Sequence, residues 1–326
     1  SNAAINEITT MRIDSLKNWA TSCERIEPTV FLMPTSLARS MDLAVDKFMK
    51  FIIPSIFLFL IQSCSHVFYQ PSPKHFVDPA QFKLSYEDVF FKSRDGTKLH
   101  GWFFKAKTTK PKGTIVQFHG NAQNISTHFF SLIWVIEQGY NLFTFDYRGY
   151  ARSHGEPSQA GIYLDALAAF DKAFEFHQKY GNGKFVIYGQ STGGAIALRA
   201  IPDWERYEDI SLIVMDSAFA SYKDIAFDKL TSRWFLFPIS PLAFVLVSDE
   251  YAADEVFEKI TRPTLVIAGK KDEVVPPKFG KEIYKGIAAD QKWWWSLPEG
   301  KHIDAYHHAQ GKYRTKFMRL LDQISR

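Results

Sequence analysis

Cysteine is nearly absent from this chain. Cys23 and Cys64 are the two present, and two cysteines cannot build a disulfide framework. No Cys/His grouping has zinc spacing, and the sequence implies neither a metal nor an organic cofactor. An excess of charge of one sign is also lacking. The formal net charge is +4, from 39 Lys and Arg against 35 Asp and Glu. The basic residues are scattered rather than striped, so no nucleic-acid partner is expected, and a modest affinity for anionic lipid surfaces is as far as charge goes. Internal repeats and low-complexity tracts are missing. The uncharged run Phe51–Ile61 has eleven residues, too few to span a bilayer.

What is there is apolar mass. With 326 residues and 46% hydrophobic content, the chain can bury a substantial core, and one large α/β domain fits better than two small ones. From residue 85 onward, short runs rich in β-branched and aromatic residues alternate with helical patterns. A hairpin is expected over Tyr86–Lys92 and Lys98–Lys105, turning at Arg94-Asp95-Gly96. Strands follow at 114–118, 142–146, 185–188, 212–215, 264–268 and 292–297, with helices at 129–137, 163–179, 194–200, 279–287 and 306–324. Such alternation predicts a doubly wound, mostly parallel sheet, with ligands bound beyond the carboxyl ends of its strands.

One stretch organises the rest. Phe185–Tyr188 reads as a buried strand, Ala195–Ala200 as helix interior, and between them stands Gly189-Gln190-Ser191-Thr192-Gly193, a G-x-S-x-G pattern. A turn tight enough to push one side chain out of the sheet forces Ser191 into strained backbone angles, and glycines lack the Cβ atoms that would collide across it. A serine hydroxyl is a weak nucleophile at neutral pH and needs a histidine base, which in turn needs an orienting carboxylate. Strand ends offer both. Asp272 follows Leu265–Gly269, with Glu273 and Asp216 as competing carboxylates, and His302 follows Leu297-Pro298-Glu299-Gly300-Lys301, with His307 and His308 expected on the surface of the last helix. Arg148 and Asp146 read as a structural ion pair, His119 as a stabiliser of its own loop, and Trp293–Trp295 as an edge strand with core contacts.

These residues resemble the α/β-hydrolase superfamily, in which nucleophile, acid and histidine follow in that chain order. Gly269-Lys270-Lys271-Asp272 resembles its G-x-x-D acid loop and Gly300-Lys301-His302 its G-x-H loop. His119-Gly120-Asn121-Ala122-Gln123-Asn124 resembles the H-G-N-A-x-N oxyanion loop of a subgroup that includes membrane-associated esterases and protein depalmitoylases. Asp146–Ser153 resembles the segment after the fourth strand, departing from it at Ala151, where glycine is usual. The resemblance covers residues 85–326. It implies a serine hydrolase cleaving carboxylic esters or thioesters, with Ser191, Asp272 and His302 as catalytic residues and the backbone N–H groups of Asn121 and Thr192 as oxyanion hole. A serine peptidase or amidase, and a non-catalytic binding protein on the same scaffold, are the alternatives. A short cap insertion is expected at 222–262. Its apolar run 234–247 either packs the cap down, or lines a trough beside Ser191 for a small-molecule or lipid-like acyl substrate or touches a membrane.

The N-terminal quarter is organised differently. Ser1-Asn2-Ala3 looks like a scar of tag removal, and residues 4–48 have weak helical periodicity and no assigned role. Residues 49–64 join a basic start, an apolar stretch and Ile61-Gln62-Ser63-Cys64, which resembles a bacterial lipoprotein signal. That resemblance implies lipidation at Cys64, membrane association and a lipid-anchored place in the bacterial cell envelope. The departure is its position behind 48 residues, which Met49 as the true start would explain. The alternative is an apolar helix packed on the enzyme domain of a cytoplasmic protein. Residues 65–84, with Pro71, Pro73 and Pro79, are expected to form an extended tether.

Overall fold

Eight of the apolar runs become strands of one sheet. In the computed structural model of this chain, residues 68–181, 183–307 and 311–324 are described; the expectations for residues 1–67, Cys64 among them, and for His308 lie outside these. The strands are β1 (Glu87–Lys92), β2 (Lys98–Phe104), β3 (Gly113–Phe118), β4 (Tyr140–Asp146), β5 (Lys184–Gln190), β6 (Ile210–Asp216), β7 (Thr264–Gly269) and β8 (Lys292–Leu297). Their spatial order is β8-β7-β6-β5-β3-β4-β2-β1. All neighbours run parallel except β1 with β2 and β2 with β4. Because β3, β4, β6 and β7 are buried along their whole length, they carry apolar residues on both faces rather than on one.

The described residues form seven α-helices: α1 (Ile125–His128), α2 (Gln159–Tyr180), α3 (Thr192–Ala200), α4 (Tyr222–Thr231), α5 (Ala243–Leu246), α6 (Pro277–Gly286) and α7 (Lys312–Gln323). One face carries α2, α3 and α6, through Phe170, Leu198 and Ile283. The other carries the region around α1 together with α7, through Phe129, Phe317 and Leu321. Among the described helices, none is long and apolar enough to cross a membrane. The chain reverses its direction of travel through the sheet at β3. From there it moves outward to β4 and then returns to β5 on the far side. Such a switch point opens a crevice at the carboxyl ends of β3 and β5, where His119 and Ser191 stand.

Three segments depart from the expectation. In place of a helix over 129–137, two 3₁₀ turns run from Phe129 to Ser131 and from Ile133 to Gln138. There the Ser131 hydroxyl donates to the His128 carbonyl and the Trp134 indole to the Ser131 carbonyl, occupying acceptors a continuous helix would use. The last helix begins at Lys312 rather than 306, because Gly311 takes a left-handed φ of 81° and breaks the turn before it. The expected tether is extended but not free. Gln70–Pro71 pairs in parallel with Ala122–Gln123, the Asn124 amide donates to the carbonyls of Ser72 and Lys74, and Tyr69 is buried. Residues 68–76 are therefore a strap bound across the H-G-N-A-x-N loop.

Candidate active site

Ser191 stands between β5 and α3 with φ 53° and ψ −125°, a conformation that L-residues rarely hold. The turn is fixed from several sides. Its N–H donates to the Asp216 carbonyl at 3.0 Å, and its carbonyl accepts from Gly194 at 2.9 Å. A Cβ on Gly189 would meet the Gly194 backbone, and one on Gly193 would fall on the carbonyls of Phe118 and His119. Strand β3 can therefore lie against the start of α3 only because residue 193 has no side chain. Serine is a common N-cap, yet the Ser191 side chain makes no capping bond. Its hydroxyl is not spent on holding its own helix, whose N-terminal dipole favours negative charge nearby.

The acid and histidine loops meet backbone to backbone. Lys270 N–H donates to Leu297 O and Lys271 N–H to Gly300 O, both at 2.9 Å, and a Cβ on Gly269 would fall on the Gly300 carbonyl. This contact brings His302 Nδ1 to 2.8 Å from Asp272 Oδ2. A carboxylate accepts, so Nδ1 carries the ring proton and Nε2 is left as the basic nitrogen. The other Asp272 oxygen accepts from the N–H groups of Val274 and Val275 at 2.9 and 2.8 Å. Of the competing carboxylates, one is engaged elsewhere and the other faces solvent. Asp216 is buried and accepts from the Tyr188 hydroxyl at 2.9 Å, and burial pushes its carboxyl up to about 6 against the opposing Tyr188 and His302. Glu273 is exposed, and its carbonyl accepts from Lys229.

The three loops converge at Gly120. A Cβ built there would lie 3.5 Å from both Ser191 Cβ and Ile303 Cδ1, so the residue after His302 and the candidate nucleophile flank the same glycine. Asn121 and Thr192 line one cavity with Ser191. Asn121 is held through its own side chain, whose Oδ1 accepts from Gln70 N–H at 2.8 Å, and through its carbonyl, which accepts from the Tyr150 hydroxyl at 2.6 Å. His119 donates from Nδ1 to the Gly120 carbonyl at 2.7 Å, and burial, with His128 nearby, lowers its pKa to about 4, leaving it neutral.

The cavity holds about 470 Å³ and is lined mainly by aliphatic side chains, among them Ile225, Leu230, Leu242 and Leu246 from the segment between β6 and β7. The apolar run 234–247 thus lines the cavity in part, as one of the two expectations had it. Ile239, Leu242 and Ala243 face the cavity, while Trp234, Phe235 and Phe237 are exposed. Phe68 of the strap, Lys229 and Val274 also line it. Sequence reasoning missed these three, because nothing local distinguishes a lining Phe or Val from a packing one.

One expected pair is overturned. Arg148 does not pair with Asp146. Its guanidinium bonds Asp165 of α2 and Asp95 of the β1–β2 turn, each at 2.8 Å, because it points toward α2 and lies against Gly161. Asp146 faces imidazoles instead. Burial alone would raise its carboxyl, and His100, His75 and His119 with the Ile125 amide outweigh that and hold it below the usual carboxylate range. Elsewhere, β8 forms one edge of the sheet with Trp295 buried. His307 is exposed but lies in the turn ahead of α7.

Similarity to known proteins extends over most of the chain. Residues 109–245 match the family model described as Serine aminopeptidase, S33. The uncharacterized protein YfhR of Escherichia coli K12 is 33% identical over 275 residues, 80% of this chain and 91% of that protein. The alpha/beta hydrolase domain-containing protein WAV2 of Arabidopsis thaliana is 33% identical over 259 residues, 76% of this chain and 82% of its own. Among solved structures, the Pyrococcus furiosus esterase Pf2001 shares the fold with a TM-score of 0.64 at 18% identity, over 79% of this chain and 98% of that one.

Proposed function

The chain belongs to the α/β-hydrolase superfamily, and on that premise we propose that it is a serine hydrolase cleaving carboxylic ester or thioester bonds through an acyl-enzyme on Ser191. The observation that carries the reading is the 2.8 Å contact of His302 with Asp272, in a loop that meets a strained Ser191 over Gly120. His302 Nε2 takes the Ser191 proton as Oγ bonds to the acyl carbon. The tetrahedral oxyanion is met by the N–H groups of Asn121 and Thr192, each such donor worth ~3 kcal/mol of barrier. Collapse breaks the bond to the alcohol or thiol, which leaves with the proton from His302. Water, activated by the same imidazole, then releases the acid. Asp272 holds the imidazole in the tautomer that keeps Nε2 basic.

The aliphatic lining supports an acyl chain as the group bound. An amine-recognising peptidase is less well served, because Lys229 is the charged residue among those lining the cavity. The cap carboxylate Asp249 is taken up by the Ser221 hydroxyl and the N–H groups of Tyr222 and Lys223 at the start of α4.

Hydrolysis of p-nitrophenyl esters from acetate to palmitate by the wild type and Ser191→Ala tests the reading. Turnover should fall by ~10⁶-fold in the variant. Wild-type kcat/KM should rise with chain length by up to about fourfold per buried methylene until the cavity is full. Equal turnover by the two proteins across the series would overturn the proposal.

A further inference from the structure

A second cluster of imidazoles gathers where the strap meets β2 and β4. His100 and Asp146 are register partners across the antiparallel β2–β4 ladder, and His75 of the strap closes on them. His75 Nε2 and His100 Nδ1 each lie 3.8 Å from Asp146 Oδ2, and the three atoms lie within 4.8 Å of one another. At that separation neither imidazole hydrogen-bonds the carboxylate. All three atoms are buried, and none has a hydrogen-bond partner among the described residues.

Hydrogen bonds fix the far side of each group. His100 Nε2 bonds Asp88 Oδ1, a carboxylate oxygen that can only accept, so Nε2 carries a ring proton. Nδ1 faces Asp146 Oδ2 across 3.8 Å without a hydrogen bond. Leaving each unsatisfied costs ~1–3 kcal/mol. Asp88 is itself fixed by Arg152 and by the Trp102 indole. Asp146 Oδ1 accepts from Ile125 N–H at 2.9 Å, which leaves Oδ2 as the outward oxygen. A carboxylate behind a histidine, fixing its tautomer and ring, is the arrangement that supports metal-ligating imidazoles.

We propose that His75 Nε2, His100 Nδ1 and Asp146 Oδ2 bind a divalent transition-metal ion of the zinc type. Two imidazole nitrogens and one carboxylate oxygen suit zinc rather than calcium or magnesium, which prefer oxygen alone. Ligands ~2.1 Å from a tetrahedral ion stand ~3.4 Å apart, so closure asks for a contraction of about half an ångström along each 3.8 Å edge. The His75 side chain is 24% exposed, so the cluster lies close to the surface although its ligand atoms are buried. The site would tie the strap to the sheet. The same strap holds Asn121 through Gln70, but the proposal does not depend on the hydrolase reading.

The test uses the full chain stripped with chelator, then titrated with zinc against a chromophoric competitor and followed by thermal unfolding. The wild type should take up one equivalent and gain Tm. His75→Ala, a substitution at a partly exposed side chain that leaves the core intact, should lose binding by at least ~100-fold, since losing even an outer-shell partner costs ~10–100-fold. His154→Ala, at an exposed histidine elsewhere, should bind as the wild type does. Cobalt should give a visible d–d band in the wild type that His75→Ala lacks. No stoichiometric uptake, or equal uptake by the wild type and His75→Ala, would overturn the site.

Discussion

Two aspartates stand beside the same histidine, and their surroundings make them different acids. Asp272 receives two backbone N–H groups and the His302 ring. Asp216 receives the Tyr188 hydroxyl in a fully buried place, and burial carries its carboxyl to about 6. With the unfolded value at ~3.9, the native state binds the extra proton between about pH 4 and 6, so this group's contribution to stability falls as pH rises through that window. The cost complete by pH 7 is roughly 3 kcal/mol. Asp216→Asn keeps the acceptor for Tyr188 and removes the titration. Urea unfolding of both proteins at pH 4 and pH 7 should therefore show the variant gaining on the wild type by about that amount at the higher pH. An equal gap at both pH values would mean that Asp216 does not titrate in the fold. Both carboxylates follow strands, which is why the sequence alone left them in competition. What separates them is the pair of amides at 274–275 and the reach of His302, both products of loop closure.

At the scale of elements, the strands were legible because burial concentrates β-branched and aromatic residues in short runs, and the Ser191 elbow because its glycines admit few substitutes. The 3₁₀ turns over 129–138 were not, since the side-chain bonds of Ser131 and Trp134 that compete with an α-helix form only in place. Gly311 was visible but was read through, and its left-handed φ is what delays α7. The acid and histidine loops come closest at one backbone contact, Gly269 against Gly300, beside the Lys270 and Lys271 hydrogen bonds. A methyl on residue 269 must push the Gly300 carbonyl away, and His302 moves with it. Gly269→Ala should cost ~2 kcal/mol of stability by overpacking and also lower kcat at least tenfold. The comparison is Gly286→Ala, where the added methyl meets the Phe257 ring. That change should cost similar stability with kcat within twofold. Matching losses of kcat in the two variants would show that the Gly269 contact does not position His302.

For the molecule as a whole, what the sequence could not show is where separate stretches meet. A proline-rich stretch read as a tether proves to be a strap that buries Tyr69, lends Phe68 to the cavity and holds Asn121. The apolar run 234–247 was legible as apolar, but which residues turn inward depends on how the short helices after α4 sit over the sheet. The cavity is therefore a joint product of cap, strap and acid loop, and its depth should set the acyl length accepted. Ala243 of α5 is buried and lines it. Replacing it with Phe puts a ring into the space where a chain would lie, without touching Ser191, His302 or the oxyanion donors. Each methylene that can no longer be buried forfeits ~0.8 kcal/mol, about fourfold in kcat/KM. Ala243→Phe should therefore hydrolyse p-nitrophenyl acetate within about twofold of the wild type while losing octanoate by at least tenfold. Parallel losses on both esters would show that the ring disturbs the catalytic loops rather than the acyl site. Unchanged octanoate hydrolysis would show that the chain leaves Ser191 by another route.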